Sequence, residues 1–555
     1  MRKFFRSENG NVAILGASLI PTLLAGAGLA IDYSRLTAAR AQLQQATDAA
    51  ILAAAKDKKS ASQRRQAFDD LLRVDTDRLQ IARASLDINE GLNHIELTAD
   101  AAAKVQLLFF NRLGVQEVSV TSKIYQSSSP IAISLVLDNT GSMGSAGILA
   151  LRQASHALLD AVEDSMAENQ AVYIGLVPFV TAVNIKGEGF KKEWIDTKGR
   201  ALYNGWSFLD ASLRNRRRGG ERLLELPAAY AEKINEQGQA CNNEGQGAPA
   251  IEKRSLCDRI LLAKQYPHQF KLFELSGTTW KGCVEARPEP YNLDLTPPSP
   301  DKPDTLFVPY FAPDEPGAAT WSGGNDGNSF NNSWLQDAVA GSDELVQRST
   351  LKYVDPDLKL VEEGKSLTRG PNRACPTPIT PLTTDIKKVR AAINAMQFWY
   401  GSGTNISEGL AWGWRVLSPE APYTEAKALE GTKVAKFAVL MTDGRNVSFG
   451  NKNTHNKSDY GSYGFLADGR IDGTAAQGAA ETKLNEYTLA TCDAMKKQGI
   501  EIFTVVSNEK APSVHDMFRS CASKPTNFYM ATDTTQLHAS FASIGSKMSM
   551  LRLTQ

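Results

Sequence analysis

The hydrophobic pattern changes character several times along the chain, and each change marks a boundary. From Val12 to Ile31 (VAILGASLIPTLLAGAGLAI) no residue carries a charge, and a helix of that length, at about 1.5 Å per residue, matches a bilayer core of roughly 30 Å. The cations at Arg2, Lys3 and Arg6 precede it, so residues 1–31 read as a cytoplasmic basic start and a single membrane anchor, with everything after Asp32 outside; the alternative is a cleaved signal peptide, whose apolar region is usually shorter. Leu36, Ala39, Leu43, Ala46 and Ala50 then recur at helical spacing, which continues the helix out of the membrane. After a charged stretch from Asp57 to Arg65, Leu79–Ile88, His94–Ala102 and Glu117–Tyr125 alternate as strands do. Residues 32–126 are thus expected to form an extended helix and a small α+β unit.

A Ser-Ser-Ser-Pro linker ends at Pro130, and the pattern becomes that of an α/β domain. Ile131–Leu137 is a continuous apolar run, the mark of a strand buried on both faces of a parallel sheet. An amphipathic helix follows over Ile148–Met166, then a strand over Ala171–Val183. The pattern breaks near Lys186 and returns with helices at Thr384–Met396 and Glu408–Leu417, a strand at Val434–Met441, a helix at Ala475–Lys497 and a strand at Ile500–Val506. The expected fold is therefore one α/β, doubly wound, Rossmann-like domain over residues 131–555, interrupted at about 186–377 by a Pro- and Gly-rich insertion.

Composition adds little beyond this. Lys+Arg and Asp+Glu both number 61, so there is no net field to attract nucleic acid, and an exterior location argues against it as well. The basic run Arg214–Arg218 lacks interleaved aromatics and reads as a solvated loop. Phe398–Tyr400, Trp412 and Trp414 read as core packing beneath a Gly-rich loop. Asn325–Asn328 does not fit a calcium loop. The six cysteines all lie between Cys241 and Cys521, and an oxidising periplasm permits disulfides. Cys492 and Cys521, on helices either side of the last strand, are expected to pair. Cys241, Cys257, Cys283 and Cys375 then pair within the insertion in one of three ways.

The chemistry sits at the strand ends. Asp138, Thr140 and Ser142 lie on one tight turn after the first core strand, Thr404 in the loop Gly401–Asn405, and Asp443 after another buried strand. The C-terminal ends of parallel strands share one edge of a doubly wound sheet, where ligands bind. Five hard oxygen donors brought together there suit Mg²⁺, with Ca²⁺ or Mn²⁺ as alternatives, better than Zn²⁺. The set resembles the metal-ion-dependent adhesion site of von Willebrand factor A domains, Asp-x-Ser-x-Ser with a distant Thr and a distant Asp, here with Thr140 in place of the first Ser. The segments Gly10–Ile14, Asp32–Arg35, Leu43–Ala50, Phe307–Pro316, Gly403–Pro419 and Leu551–Leu553 are similar to the TadE/TadG-like Flp pilus-assembly family, to its TadG-like members in particular. That resemblance implies an inner-membrane-anchored periplasmic component of the tight-adherence pilus machine. It would bind pilin or another assembly protein, whose acidic residue could complete the metal shell, and it would not be an enzyme. Two alternatives compete: a structural pseudopilin-like subunit with a vestigial metal site, and an esterase using Ser142 with His515 or His538 as base. The insertion, and a shorter excursion over 446–473, leave from the same sheet edge and are expected to crowd the metal face.

Overall fold

The computed structural model describes residues 9–55, 60–72, 79–91, 94–109, 116–127, 130–164, 171–221, 267–317, 332–354, 369–401, 403–450, 452–509 and 511–550. They fall into two compact units, one centred on the residues before Pro130 and one formed by Pro130–Asp164 and Ala171–Ser546.

In the first unit a single helix, α1 (Asn9–Ala55), runs through the uncharged segment and on past Asp32. Among the described residues no helix is long and apolar enough to cross a membrane. The side chains at 9–18, and with them much of the expected span, lie outside the described set, as does the basic start at 1–8. Beyond Asp32 the helical periodicity does what it predicts: Ala39, Leu43, Ala50, Ile51 and Ala54 are buried in one apolar cluster. They pack against α2 (Ala61–Leu71) and a meander of β1 (Leu79–Gly91), β2 (His94–Val105) and β3 (Gln116–Ser127) in antiparallel register. Helix α2 begins within the stretch read as charged. Its start is set by a capping box, in which Ser60 accepts from the Gln63 amide and Gln63 reaches back. Its Arg64 is buried, donating to the Ala54 carbonyl oxygen at the end of α1.

The second unit is built on a sheet ordered β11-β10-β9-β4-β5-β6-β7, with β8 also on β5. The strands β4 (Ile131–Asp138), β5 (Val172–Phe179), β9 (Ala435–Thr442), β10 (Ile500–Ser507) and β11 (Phe528–Ala531) pair in parallel. The short strands β6 (Val183–Asn184), β7 (Cys283–Val284) and β8 (Thr380–Thr383) are antiparallel. The sheet is therefore mixed. The run 171–183, expected as one strand, ends at Phe179 and turns back, because Val180 N–H donates to the Ala182 carbonyl oxygen before Val183 pairs antiparallel with Phe179.

The helices are α3 (Gly144–Asp164), α4 (Ala211–Arg218), α5 (Gln269–Ser276), α6 (Asp343–Arg348), α7 (Ile386–Ala395), α8 (Ile406–Leu417), α9 (Gln477–Lys497), α10 (Pro512–Cys521) and α11 (Thr534–Met550). All of β4 is buried, which requires cover on both faces of the sheet. Every residue of α8 is buried as well. It lies close on the sheet because two positions carry no side chain: a Cβ at Gly409 would sit 2.6 Å from the Phe179 ring, and one at Gly413 2.4 Å from Val136.

Cys492 on α9 and Cys521 on α10 are bridged, with Cα atoms 5.2 Å apart, as their positions in the sequence suggest. Cys283 pairs with Cys375; Cys241 and Cys257 lie outside the described residues. Closing a loop of sequence separation 29 restricts the unfolded chain, so Cys492→Ser with Cys521→Ser lowers unfolding free energy by about 2 to 4 kcal/mol. Urea denaturation of the two forms checks this, and equal midpoints would refute it.

The insertion does not stand apart. Trp206 and Ser207 donate to the Asp468 carbonyl oxygen and carboxylate, Tyr310 to the Tyr460 carbonyl oxygen, and Ala286 N–H to that of Ser462. Buried pairs Arg470–Glu285 and Arg373–Asp459 join the same segments, so insertion and excursion form one packed body. The basic run is helix α4 and not a solvated loop: Arg214 pairs with Asp468, and Arg217 is buried on the Gly199 and Ala201 carbonyl oxygens. Asn325–Asn328 lies outside the described residues.

Candidate metal centre

β4 and β9 are neighbours in parallel register, so their C-terminal ends bring Asp138 and Asp443 to one edge although they are far apart in sequence. The chain leaves β4 in a tight 3-10 turn, Gly141–Met143, before α3. Gly141 is required there, since a Cβ would lie 2.8 Å from the Tyr400 ring.

Four of the five expected residues form one hydrogen-bonded chain. Thr140 N–H donates to Asp138 Oδ1 at 2.8 Å, the Thr140 and Ser142 hydroxyls are 2.9 Å apart, and Ser142 Oγ donates to Asp443 Oδ1 at 2.9 Å. Each hydroxyl carries one proton and two lone pairs, so both oxygens keep acceptor capacity within this chain. Thr442 closes the other side, donating from Oγ1 to Asp138 Oδ2 at 2.6 Å. Asp138 and Thr140 are buried, Asp443 is half-buried and Ser142 is exposed, so the group has one open side.

Thr404 comes close by backbone alone. Its N–H and C=O exchange bonds with Val447 at 2.9 Å each, just after Asp443, and Gly403 lets the strands touch: its φ is +87° and a Cβ would lie 2.0 Å from the Val447 oxygen. Among the described residues the Thr404 hydroxyl makes no hydrogen bond to the other four. Thr404 borders a small cavity of mixed lining, with Thr181, Asn405 and Asp459 on one hand and Phe465, Leu466 and Ile471 on the other.

Burial and the facing Asp443 charge push Asp138 up to about 7, against the pull of its Thr442 and Thr140 hydrogen bonds. Burial also raises Asp443, Ser142 lowers it, and the charge of Glu509 raises it further. Two carboxylates held together out of water are a pair that a cation would relieve. Among the described residues no three His, Cys, Asp or Glu side chains are placed to hold a metal ion, so any ion here would depend on hydroxyls. That donor set of carboxylate and alcohol oxygens fits a hard divalent cation.

Several neighbours of the site escape sequence reading. Thr442 directly precedes Asp443, and Glu509 follows β10 with no motif to mark it. Tyr400, expected in the core with Phe398 and Trp399, is 54% exposed beside Gly141, while Trp412 and Trp414 are buried as expected. The 397–400 segment is held by Trp399 N–H on the Asn139 oxygen and by Asn139 Nδ2 on the Gln397 oxygen, and this pairing turns the ring outward. His515 Nε2 lies 2.8 Å from the Glu509 carbonyl oxygen, and the Ser142 hydroxyl is already shared between Thr140 and Asp443. Among the described residues, the insertion reaches the Thr404 loop, where the Arg373 guanidinium lies against Gly401, and Ser142 is exposed.

No curated protein matches the chain. Solved structures align weakly. Pilus adhesin SpaC from Lactobacillus rhamnosus GG is 11% identical over 85% of this chain and 35% of its own, with a TM-score of 0.31. The vWF domain of the type V pili tip protein Mfa5 from Porphyromonas gingivalis is 9% identical over 77% and 97%, also at 0.31. Proximal thread matrix protein 1 from the mussel byssus, with a zinc-occupied MIDAS motif, is 10% identical over 76% and 96%, at 0.19. The chain thus spans about a third of SpaC. At the N-terminal end, residues 10–57 match the family described as putative Flp pilus-assembly TadE/G-like.

Proposed function

We propose that this chain is a membrane-anchored, periplasmic component of Flp pilus assembly that holds a partner protein through a divalent cation and catalyses no reaction of its own. The family match over residues 10–57 supports the pilus context. The observation that carries the binding site is the chain Asp138–Thr140–Ser142–Asp443 at one sheet edge, open at Ser142. Asp138, Thr140, Ser142, Thr404 and Asp443 would hold the ion, Mg²⁺ in the first instance, in a von Willebrand factor A domain. When bound, the ion supplies an electrophilic point for a carboxylate of the partner. The chain's own residues prepare that point. Thr442 and the Thr140 amide fix Asp138, Asp443 accepts the Ser142 hydrogen bond, which leaves lone-pair capacity on that exposed hydroxyl, and Tyr400 lies exposed beside Gly141.

Crosslinking in membranes followed by capture of the chain, with Mg²⁺ and with EDTA, tests this. At least one pilin or assembly protein is expected in the Mg²⁺ sample and absent from the EDTA sample. Identical partners in both would leave a structural subunit with an idle site.

A further inference from the structure

We propose that Leu108 and Phe109 form a second contact with the lipid bilayer, fixed beside α1 where that helix leaves the membrane. The inference rests on the anchor reading above and goes beyond it, because it places a part of the folded unit in the lipid. Leu19, Ile20, Leu23, Leu24, Leu29 and Ile31 of α1 are all exposed, and at 3.6 residues per turn they spread over more than half of the helix circumference. A protein partner lying along one helix covers one stripe; lipid covers every side.

Leu108 and Phe109 follow β2 and are 57% and 60% exposed. Their height along α1 is set by two observations. Asp32, only 3% exposed, accepts the Leu108 and Phe109 amide N–H groups at 2.9 and 3.1 Å. The Phe109 ring lies on Gly28, where an added Cβ would be 3.0 Å from its Cγ. Gly28 belongs to the uncharged run and lies about 6 Å along the axis from Asp32 on the membrane side. If the run is in the bilayer, Phe109 is at a depth where water is scarce, and its exposed ring meets acyl chains. The first carboxylate after the run is buried and each of its oxygens accepts one of these backbone N–H groups, which offsets part of the cost of holding it away from water. On the outer side Tyr33 is exposed and Arg35 reaches the Gln106 carbonyl oxygen, the aromatic and cationic residues expected at headgroup level.

The test uses the full chain in vesicles of phosphatidylethanolamine and phosphatidylglycerol. A benzophenone-bearing phenylalanine is placed singly at position 109, at position 23 on the helix, or at position 83, an exposed site on β1. After irradiation, mass spectrometry is expected to find lipid adducts at 109 in a yield comparable with that at 23, and none at 83. Lipid adducts at 23 but not at 109 would overturn the inference and leave the anchor standing. Adducts at 109 joining two chains would overturn it in favour of self-association, and absence of lipid adducts at both 23 and 109 would remove the anchor reading together with the inference.

Discussion

Asp138→Asn combined with Asp443→Asn is expected to abolish the heat of Mg²⁺ binding in calorimetry, and Asp443→Asn alone to weaken binding by about 100-fold or more. Asp138 and Asp443 are the two carboxylates of the expected ligand set, and each is held above the usual carboxylate range, chiefly by burial. The amides keep the shape but remove the charge that pays for dehydrating the ion. At position 443 the amide oxygen can still accept the Ser142 hydrogen bond, so the turn is expected to survive. At position 138 the Thr442 hydroxyl can turn to its second acceptor, the Gly444 carbonyl oxygen 3.2 Å away, and accept from the new amide. In EDTA, Asp138→Asn should therefore melt at a higher temperature than the wild type near pH 8, since it removes a buried carboxylate that faces another. Loss of Mg²⁺ binding with higher metal-free stability would separate a ligand role from a folding role. Unchanged Mg²⁺ affinity in the double variant would sink the metal assignment.

What the sequence makes legible here follows from the period of its hydrophobic pattern. β4, β9 and β10 are read directly because they are central and largely buried, so most of their positions are apolar. α8 and α9 are read because each turn repeats the same requirement. The turn from Asp138 to Ser142 is legible because hydroxyls and a carboxylate directly after a buried strand have few other uses. Legibility fails where long-range contacts decide the structure. The two-residue strand β7 exists because Val284 and Cys283 find Val183 and Asn184 about a hundred residues away, and no local period can show that. α4 is basic enough to read as loop, yet Asp468, on the distant excursion, orders its Arg214. Tyr400 looks like core by composition and is turned out by the backbone pairing of its neighbours.

The packed body of insertion and excursion is expected to lose stability as pH rises from about 4.5 to about 7. Glu315 is fully buried in the insertion. It accepts the Asn332 amide N–H at 2.8 Å and, across the boundary, Asn456 Nδ2 at 3.0 Å, and Asn456 in turn bonds Gln347. Burial, and then the Asp459 charge, raise Glu315 from 4.5 to about 7, although Arg373 pulls the other way. Asp314, buried beside Lys352, is raised by burial from 3.8 to about 6. The folded protein thus keeps protons that the unfolded chain has released, so stability is fully present below the unfolded values and is lost as pH climbs through the folded ones. For Glu315 the span between 4.5 and about 7 corresponds to at most about 3 kcal/mol. Other carboxylates titrate in the same range, so the quantity to measure is the difference between the wild type and Glu315→Gln. Urea unfolding at saturating Mg²⁺, from pH 4 to pH 8, holds the metal site constant. The wild type should fall relative to the variant across this window and run parallel to it above about pH 8. Parallel curves throughout would show that Glu315 is ionised in the folded protein, and a wild type that gains on the variant with rising pH would reverse the sign. Because Asn456 joins the insertion to the excursion that follows Asp443, the same titration loosens the wall on the Thr404 side of the metal centre. Amide exchange in 450–473 should therefore quicken at the higher pH before exchange in β4 and β9 does.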